Sequence, residues 1–273
     1  MMIIHQLQYY HANVIASVNV KEIRFPFICS DISEVVILGS SGGVVCLIYF
    51  FNCRRIPCIW NPYTEEYKLV PISTILYPFQ QYVDVRANGF CHDYKTDDFI
   101  FVSISGSTLH PLNYDGSVVS IYSLKSNSWK QLLIPNEFPF QFGNHTTPGV
   151  FFSGSLHWFA KTVLAPYSEV LIAFDVEKGF AQEIPQPQSL VDADDKYMDV
   201  FDGCLCMLCS TKVNGFDVWK VHDYGVPESW IKIWNIPRVE MIDESMFQYL
   251  RRIKCLKDDQ AIRDWVLLRL QEI

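Results

Sequence analysis

The feature that most constrains the fold of this chain is a phrase that occurs four times, at residues 59–71, 121–130, 173–185 and 217–237. Each copy holds an apolar run, a short polar stretch and an aromatic residue that opens a second run, and a proline ends the copy or follows shortly after it. Asn, Lys, Ser and Gly residues reverse a chain easily, and flanking aromatic and β-branched residues pack well on a pleated sheet. The phrase therefore predicts a β-hairpin that is repeated along the chain.

The spacing of the phrase indicates the architecture. Its second aromatic residue recurs at intervals of 62, 51 and 50 residues, at Tyr67, Trp129, Phe180 and Trp230. A repeat of about 50 residues is typical of a kelch blade. A glycine opens a further apolar strand at Gly43, Gly154 and Gly203. With this further strand beside the hairpin, each repeat is expected to hold about four strands. That number favours a propeller over a β-sandwich.

We therefore predict an all-β fold, a kelch-like β-propeller or partial propeller of about four to five antiparallel repeats. The repeat domain is expected over residues 1–237, with one or two strands within Val14–Phe27. After Pro237 the apolar residues follow helical spacing, as in Phe247, Leu250 and Ile253. This pattern predicts a short C-terminal helical tail over residues 238–273.

Composition and charge narrow the classes of function. An apolar fraction of 49% can fill a large core, which excludes a disordered chain. A net charge of −8 with no basic stripe repels a phosphate backbone, so no nucleic-acid partner is expected. The uncharged stretch Val35–Cys53 is divided by the glycine-rich turn Gly39–Gly43, so no membrane partner is expected either.

The cysteines and the N-terminus indicate the cellular compartment in which the protein is expected. The nine cysteines include several in strand-like apolar runs, as in residues 203–209, where a free thiol acts as a small apolar side chain. No basic residue precedes Lys21, so the N-terminus is a poor secretory signal. We expect a soluble, intracellular protein of the cytoplasm or nucleus.

Several motifs occur in a fixed order along residues 25–237. Trp60–Pro71 reads Trp-Asn-Pro-x-Thr-x-x-Tyr-x-x-x-Pro, and Trp219–Trp230 reads Trp-x-x-x-Asp-Tyr-Gly-Val-x-x-Ser-Trp. The others are Phe25–Phe27, Leu38–Leu47, Gly89–Phe99, Val119–Trp129, Gly154–Trp158 and Ile172–Asp175. With these motifs the chain resembles the F-box-associated domain of plant F-box proteins, the group that includes the S-locus F-box proteins.

The resemblance implies a protein-interaction module, with no enzyme activity and no cofactor. In the family, an N-terminal F-box docks on the Skp adaptor of a cullin (SCF-type) ubiquitin ligase, and the associated domain presents a protein target for ubiquitination. Residues 1–24 lack the Leu-Pro helical opening of an F-box. Skp binding is therefore expected only if an F-box is supplied elsewhere. The alternative is a stand-alone scaffold or decoy that binds a target without ligase function.

The sequence does not identify the target or the residues that bind it. The longer, irregular loops are Gln80–Arg86, Gly106–Gly116 and Phe138–Thr147. Such loops often carry the partner site in repeat folds. The repeated tryptophans are expected to pack blade faces rather than form a ligand cage; they are Trp60, Trp129, Trp158, Trp219 and Trp230.

Two patterns suggest chemistry only at first reading. Gly39–Gly43 matches Gly-x-Ser-x-Gly, which would make Ser41 a hydrolase nucleophile, but a nucleophile elbow needs a helix after the turn and β-branched residues follow here. Cys204, Cys206 and Cys209 could suggest a metal site. Strand alternation places Cys209 on the sheet face opposite to Cys204 and Cys206, so the three thiols cannot bind one metal ion. We therefore expect no catalytic site at Ser41 and no metal site at these cysteines.

Three further polar features have simple explanations. His157 is expected to be a structural histidine whose ring bonds backbone groups. The acidic residues Asp192, Asp194 and Asp195 are expected in a solvated loop between repeats. Asn144-His145-Thr146 is a glycosylation sequon that only a secreted protein would use.

Overall fold

The computed structural model describes residues 2–6, 19–23, 25–26, 31–52, 54–71, 83–107, 117–134, 140–142, 148–162, 168–187, 190, 195–201, 203–211 and 215–236. Within these ranges the chain forms strands β1 to β19 and the 3₁₀ turn Pro227–Ser229, with no α-helix. The all-β prediction is therefore confirmed for the described residues. The predicted helical tail, 238–273, lies outside them.

Most of the strands fall into four antiparallel blades of four strands each, and blades 2 and 3 are joined, with one further strand, into a single nine-stranded sheet. Blade 1 contains β3 (Ile32–Ser41), β4 (Val44–Phe51), β5 (Arg54–Trp60) and β6 (Tyr67–Leu69). Blade 2 contains β7 (Val83–Asp93), β8 (Asp98–Ser107), β9 (Ser117–Ser123) and β10 (Ser128–Ile134). Blade 3 contains β12 (Pro148–Phe152), β13 (Ser155–Thr162), β14 (Glu169–Asp175) and β15 (Phe180–Ile184). Blade 4 contains β16 (Asp195–Phe201), β17 (Cys204–Thr211), β18 (Gly215–Val221) and β19 (Trp230–Ile236).

Three short strands lie beside the blades. Strands β1 (Met2–Gln6) and β2 (Asn19–Ile23) pair antiparallel with each other, and β2 falls within the region 14–27 where a strand was predicted. Strand β11 (Phe140–Phe142) pairs with the end of β13.

The repeated phrase forms the last hairpin of each blade. In blade 1 Trp60 pairs with Tyr67, and in blade 2 Tyr122 pairs with Trp129. The glycines that precede the second strands have positive φ, +78° at Gly43 and +80° at Gly154. Tight two-residue turns need this backbone conformation, which glycine adopts without strain.

The first strands of the four blades, β3, β7, β12 and β16, contact one another and so lie at the centre of the array. Strands β7 and β12 pair in parallel, with Asn88 opposite Pro148 and Gly89 opposite Gly149. The curled arrangement of blades around these strands is consistent with the predicted propeller.

The glycine pair makes room for one buried indole. A Cβ added to Gly149 would lie 2.5 Å from the ring of Trp158, and one added to Gly89 would lie 2.7 Å from Leu156 and 2.9 Å from Trp158. The Trp158 side chain is 1% exposed, and its Nε1 donates a hydrogen bond of 3.0 Å to the Asn88 carbonyl. Trp158 therefore fixes blade 3 to blade 2.

Two other indoles fix neighbouring blades by a common device. Trp129 of blade 2 donates from Nε1 to the carbonyl of Pro71, which follows blade 1, at 2.8 Å. Trp230 of blade 4 donates to the carbonyl of Pro185, which follows blade 3, at 3.1 Å. Since a proline that ends one phrase accepts from a tryptophan in the next, the repeat specifies contacts between blades as well as hairpins.

His157 lies fully buried between blades 3 and 4. Its Nδ1 lies 3.1 Å from the Val150 carbonyl, which can only accept, so Nδ1 donates. Its Nε2 therefore accepts from the hydroxyl of Tyr224, at 2.6 Å. Burial lowers the pKa of His157 to about 4, against the partial opposition of backbone hydrogen bonds. The ring is thus a neutral structural link, as the sequence suggested.

Gly149→Ala is expected to destabilise the chain, because the new methyl group overlaps an indole that is enclosed and cannot move away. Overpacking of this kind costs about 1–3 kcal/mol in the free energy of unfolding. The matched control is Gly39→Ala in β3, where an added Cβ meets nothing within 4 Å. Chemical denaturation measures both. Equal midpoints for the two variants would show that the glycine pair is not required.

Acidification is expected to weaken the native state through His157. Its native pKa lies below its unfolded value, so its contribution is complete above pH 6.5 and is lost as pH falls towards 4. At pH 5 the loss is about 2 kcal/mol. Urea denaturation at pH 7.5 and pH 5 should therefore show a smaller pH-dependent loss for His157→Asn than for the natural chain. The same loss in both chains would contradict a buried neutral ring.

Candidate protein-binding face

One end of the blade array is formed by tight turns, and we call it the turn face. It contains the turns between first and second strands and between third and fourth strands. These turns are residues 42–43, 61–66, 94–97, 124–127, 153–154, 176–179 and 222–229. Neighbouring blades present their turns at the same end, since a Cβ on Gly42 of blade 1 would lie 3.4 Å from Phe99 beside the turn of blade 2.

Side-chain oxygens at the start of three of these turns hold the turn backbone. Asn61 Oδ1 accepts from the backbone N–H groups of Tyr63, at 2.9 Å, and Thr64, at 3.2 Å. Asp93 Oδ1 accepts from the N–H of Lys95 at 3.0 Å, and Asp175 Oδ1 from that of Lys178 at 2.7 Å. Such bonds replace backbone pairing in a tight turn and order it without a packed core.

The pKa values of two turn carboxyls reflect these bonds. A side-chain hydrogen bond from Thr96 is the main cause that lowers the pKa of Asp93. Burial alone would raise the pKa of Asp175, but backbone and side-chain hydrogen bonds from Lys178 outweigh it and lower the value. Both groups are therefore carboxylates at neutral pH.

The turn of blade 2 is further fixed by a buried carboxylate. Asp98 is 6% exposed and accepts from the hydroxyl of Ser123 and from the N–H of Lys125, the latter at 2.8 Å. Lys125 Nζ donates to the Thr96 carbonyl at 2.9 Å. These bonds connect the two turns of the blade into one unit.

Aromatic and polar contacts support the first turn of blade 2, and one ion pair joins that turn to blade 3. The ring of His92 stacks on Phe99, with ring centroids 4.6 Å apart, and its Nε2 lies 3.0 Å from Asp97 Oδ1. Lys95 of blade 2 pairs with Glu177 of blade 3. An exposed pair of this kind adds little stability but orients both turns.

Two tyrosines project from this ordered surface. Tyr63 is 94% exposed and Tyr94 is 74% exposed, although the backbone of each is held by the turn bonds described above. Tyr94 also meets the His92 ring edge to face, at 4.5 Å between centroids. Large exposed aromatic side chains on a rigid backbone are typical of protein-binding surfaces. Sequence reasoning missed both, because aromatic residues in the repeat were interpreted as packing residues.

The strand ends that flank the loops singled out by the sequence lie at the opposite end of the blade array. Gln80–Arg86 leads into the start of β7, Gly106–Gly116 connects the end of β8 to the start of β9, and Phe138–Thr147 joins blade 2 to blade 3. Val83 pairs with Ser107 and Gly106 with Ser117, so their strand ends share one edge. Residues 80–82, 108–116, 138–139 and 143–147 lie outside the described ranges. That these loops bind the partner remains a prediction.

The possible hydrolase motif is a β-hairpin. Ser41 ends β3, a two-residue turn follows, and β4 begins at Val44. The helix that a nucleophile elbow requires after its turn is therefore replaced by a strand. The geometry does not support Ser41 as a nucleophile.

The three cysteines of β17 do not converge. Cys209 packs with Leu205 and Met207 against blade 3, while Cys204 and Cys206 lie on the other face of the sheet. Burial raises the pKa of Cys206 and of Cys209 to about 12. Among the described residues no group of His, Cys, Asp and Glu side chains is arranged to hold a metal ion.

The remaining candidates are structural or lie outside the described ranges. All five repeated tryptophans pack in or against the cores of the blades. Residues 144–146, Asp192 and Asp194 are not described, and Asp195 opens β16. Within the described ranges, no helix has the length and apolar character needed to cross a membrane.

Comparisons with known proteins identify the family. The family described as F-box associated beta propeller domain matches residues 3–261. An F-box protein of Arabidopsis thaliana, At4g22390, is 29% identical over 264 residues, which cover 89% of this chain and 62% of that protein. The Arabidopsis thaliana F-box protein CPR1 is 27% identical over 280 residues, 94% of this chain and 64% of that protein.

A further relative carries the repeat in its name. The F-box/kelch-repeat protein At3g23880 of Arabidopsis thaliana is 23% identical over 212 residues, 74% of this chain and 52% of that protein. The chain thus spans between 52% and 64% of the length of these three relatives. The family match covers nearly all of the chain, so the chain belongs to the F-box associated β-propeller domain family.

Proposed function

We propose that this chain is the target-recognition module of an SCF-type ubiquitin ligase and that the turn face binds the target protein. Family membership implies a protein-interaction module, and the relatives are named as F-box proteins. The ligase role rests on the resemblance to F-box proteins, in which the F-box docks on the Skp adaptor. A cytoplasmic or nuclear location is part of the proposal.

The observation that carries the choice of surface is the exposure of Tyr63 and Tyr94 on turns whose backbones are already ordered. Binding is weakened when loops must become ordered, because they lose conformational entropy. A surface that is already ordered avoids this cost and binds more tightly. Tyrosine adds a large apolar area with a hydroxyl and only two side-chain torsions.

Cysteine chemistry supports the proposed location. The six described cysteines are free thiols, and burial raises the pKa of Cys58 and Cys91 to about 12. Thiols that are mostly protonated at neutral pH oxidise slowly. Free thiols within blade cores fit a reducing compartment.

The test joins a family F-box to the chain ahead of Met1 and replaces both tyrosines, Tyr63→Ala and Tyr94→Ala. Loss of two anchors of about 1–2 kcal/mol each should weaken target binding by at least tenfold. Proteins captured from plant cells are compared by quantitative mass spectrometry, and their ubiquitination by the assembled ligase is measured. We expect a target that the natural surface binds and ubiquitinates and that the double variant loses.

Two controls separate recognition from folding and docking. Ile37→Ala removes an exposed apolar side chain in the middle of β3 and should leave capture unchanged. Skp binding through the F-box should be the same in every variant. A target that the double tyrosine variant retains would contradict the turn face as the binding surface. Targets that bind without being ubiquitinated would instead favour a scaffold or decoy.

A further inference from the structure

Blade 4 buries one of its faces against blade 3, and its other face is mainly apolar but less deeply buried. Alternate residues of its strands point towards blade 3, where Leu205, Met207, Cys209 and Val221 are at most 2% exposed. The residues between them point away from blade 3, and we call their surface the outward face. Its partly exposed apolar residues are Phe201, Cys204, Leu208, Val218, Ile231 and Trp234, and the same face also contains the buried Cys206 and the charged residues Asp199 and Lys220.

These six apolar side chains of the outward face are partly accessible to solvent. Ile231 is 49% exposed, and the other five are half-buried. The rings of Phe201 and Trp234 meet at 5.8 Å between centroids. None of the six belongs to any of the four cores formed by the described residues. A sheet face with this much apolar side-chain surface is normally covered.

The first blade shows how this molecule covers such a face. On the side of blade 1 away from blade 2, Leu47, Tyr49 and Trp60 are at most 1% exposed. Phe25, which precedes the blade, packs on that side, with its ring centroid 6.4 Å from that of Trp60. The chain before the first blade thus contributes a cover for the exposed end of the array, as terminal elements do in repeat proteins.

We propose that residues 237–273 cover the outward face of blade 4 in the same way. These residues follow directly on β19, whose Ile231 and Trp234 belong to that face. Their sequence contains many apolar side chains, including Phe247, Leu250, Trp265 and Leu268. A segment that begins three residues after Trp234 has a high effective concentration at this surface, which favours it over a separate partner.

The cover has a consequence for recognition. With both end faces of the array occupied by the chain itself, apolar contact with a target protein is restricted to other surfaces, among them the turn face. The cover stands independently of the ligase proposal, because it concerns contacts within one chain.

Site-specific photo-crosslinking in the full chain tests the cover. A benzophenone side chain replaces Trp234 in one variant and Phe201 in a second, so a folding defect in one does not decide the result. After illumination we expect monomeric products that join the probe to residues 237–273, identified by peptide mass spectrometry. The matched control places the probe at Phe180, an exposed aromatic residue on blade 3, and should give no such product.

Further variants test the contact itself. Leu208→Asp places a carboxylate within the outward face and should lower the crosslink yield by about tenfold or more. Gln182→Asp, at an exposed position on β15, should leave the yield unchanged. Crosslinks between two chains would overturn the proposal in favour of a second copy on this face. Absence of crosslinks to residues 237–273 from both probe positions would also overturn it.

Discussion

The indole of Trp158 occupies the space that side chains at Gly89 and Gly149 would otherwise fill. Because these glycines face each other across β7 and β12, the first strands of blades 2 and 3 can approach and pair in parallel. The hydrogen bond from Trp158 to Asn88 then fixes the angle between the blades. Because the aromatic ring is enclosed against two glycine backbones, no larger side chain fits there, and the centre of the array packs in one arrangement.

Around this centre, the same hairpin is used for two purposes. Its tryptophan joins one blade to the proline that ends another, as in Trp129 with Pro71 and Trp230 with Pro185. Its turn begins with an oxygen-bearing side chain, as in Asn61 and Asp175, which orders the backbone without needing a core. The apolar side chains therefore pack within and between the blades. The turn face at their ends stays ordered by hydrogen bonds, with Tyr63 and Tyr94 exposed on it.

Much of this architecture could be predicted from the sequence, because hairpins are local and their turn residues are explicit. The period of the aromatic residues located all four terminal hairpins, and positive φ at Gly43 and Gly154 matches the glycines that were expected to open strands. The parallel pairing of β7 with β12 could not be predicted, because it depends on a glycine contact between residues 60 positions apart (149 − 89). The exposure of Tyr63 and Tyr94 could not be predicted either, because the sequence does not show whether a tyrosine packs inward or projects into solvent.

The central claim is that this propeller recognises a protein target through its turn face. Hydrogen–deuterium exchange tests it most directly, on the chain joined to an F-box, with and without a target that it ubiquitinates. We predict slower exchange on binding in residues 61–66 and 94–97, where Tyr63 and Tyr94 lie. Protection confined to the opposite edge, in residues 106–117 and 162–168, with no change in those two turns, would contradict the account.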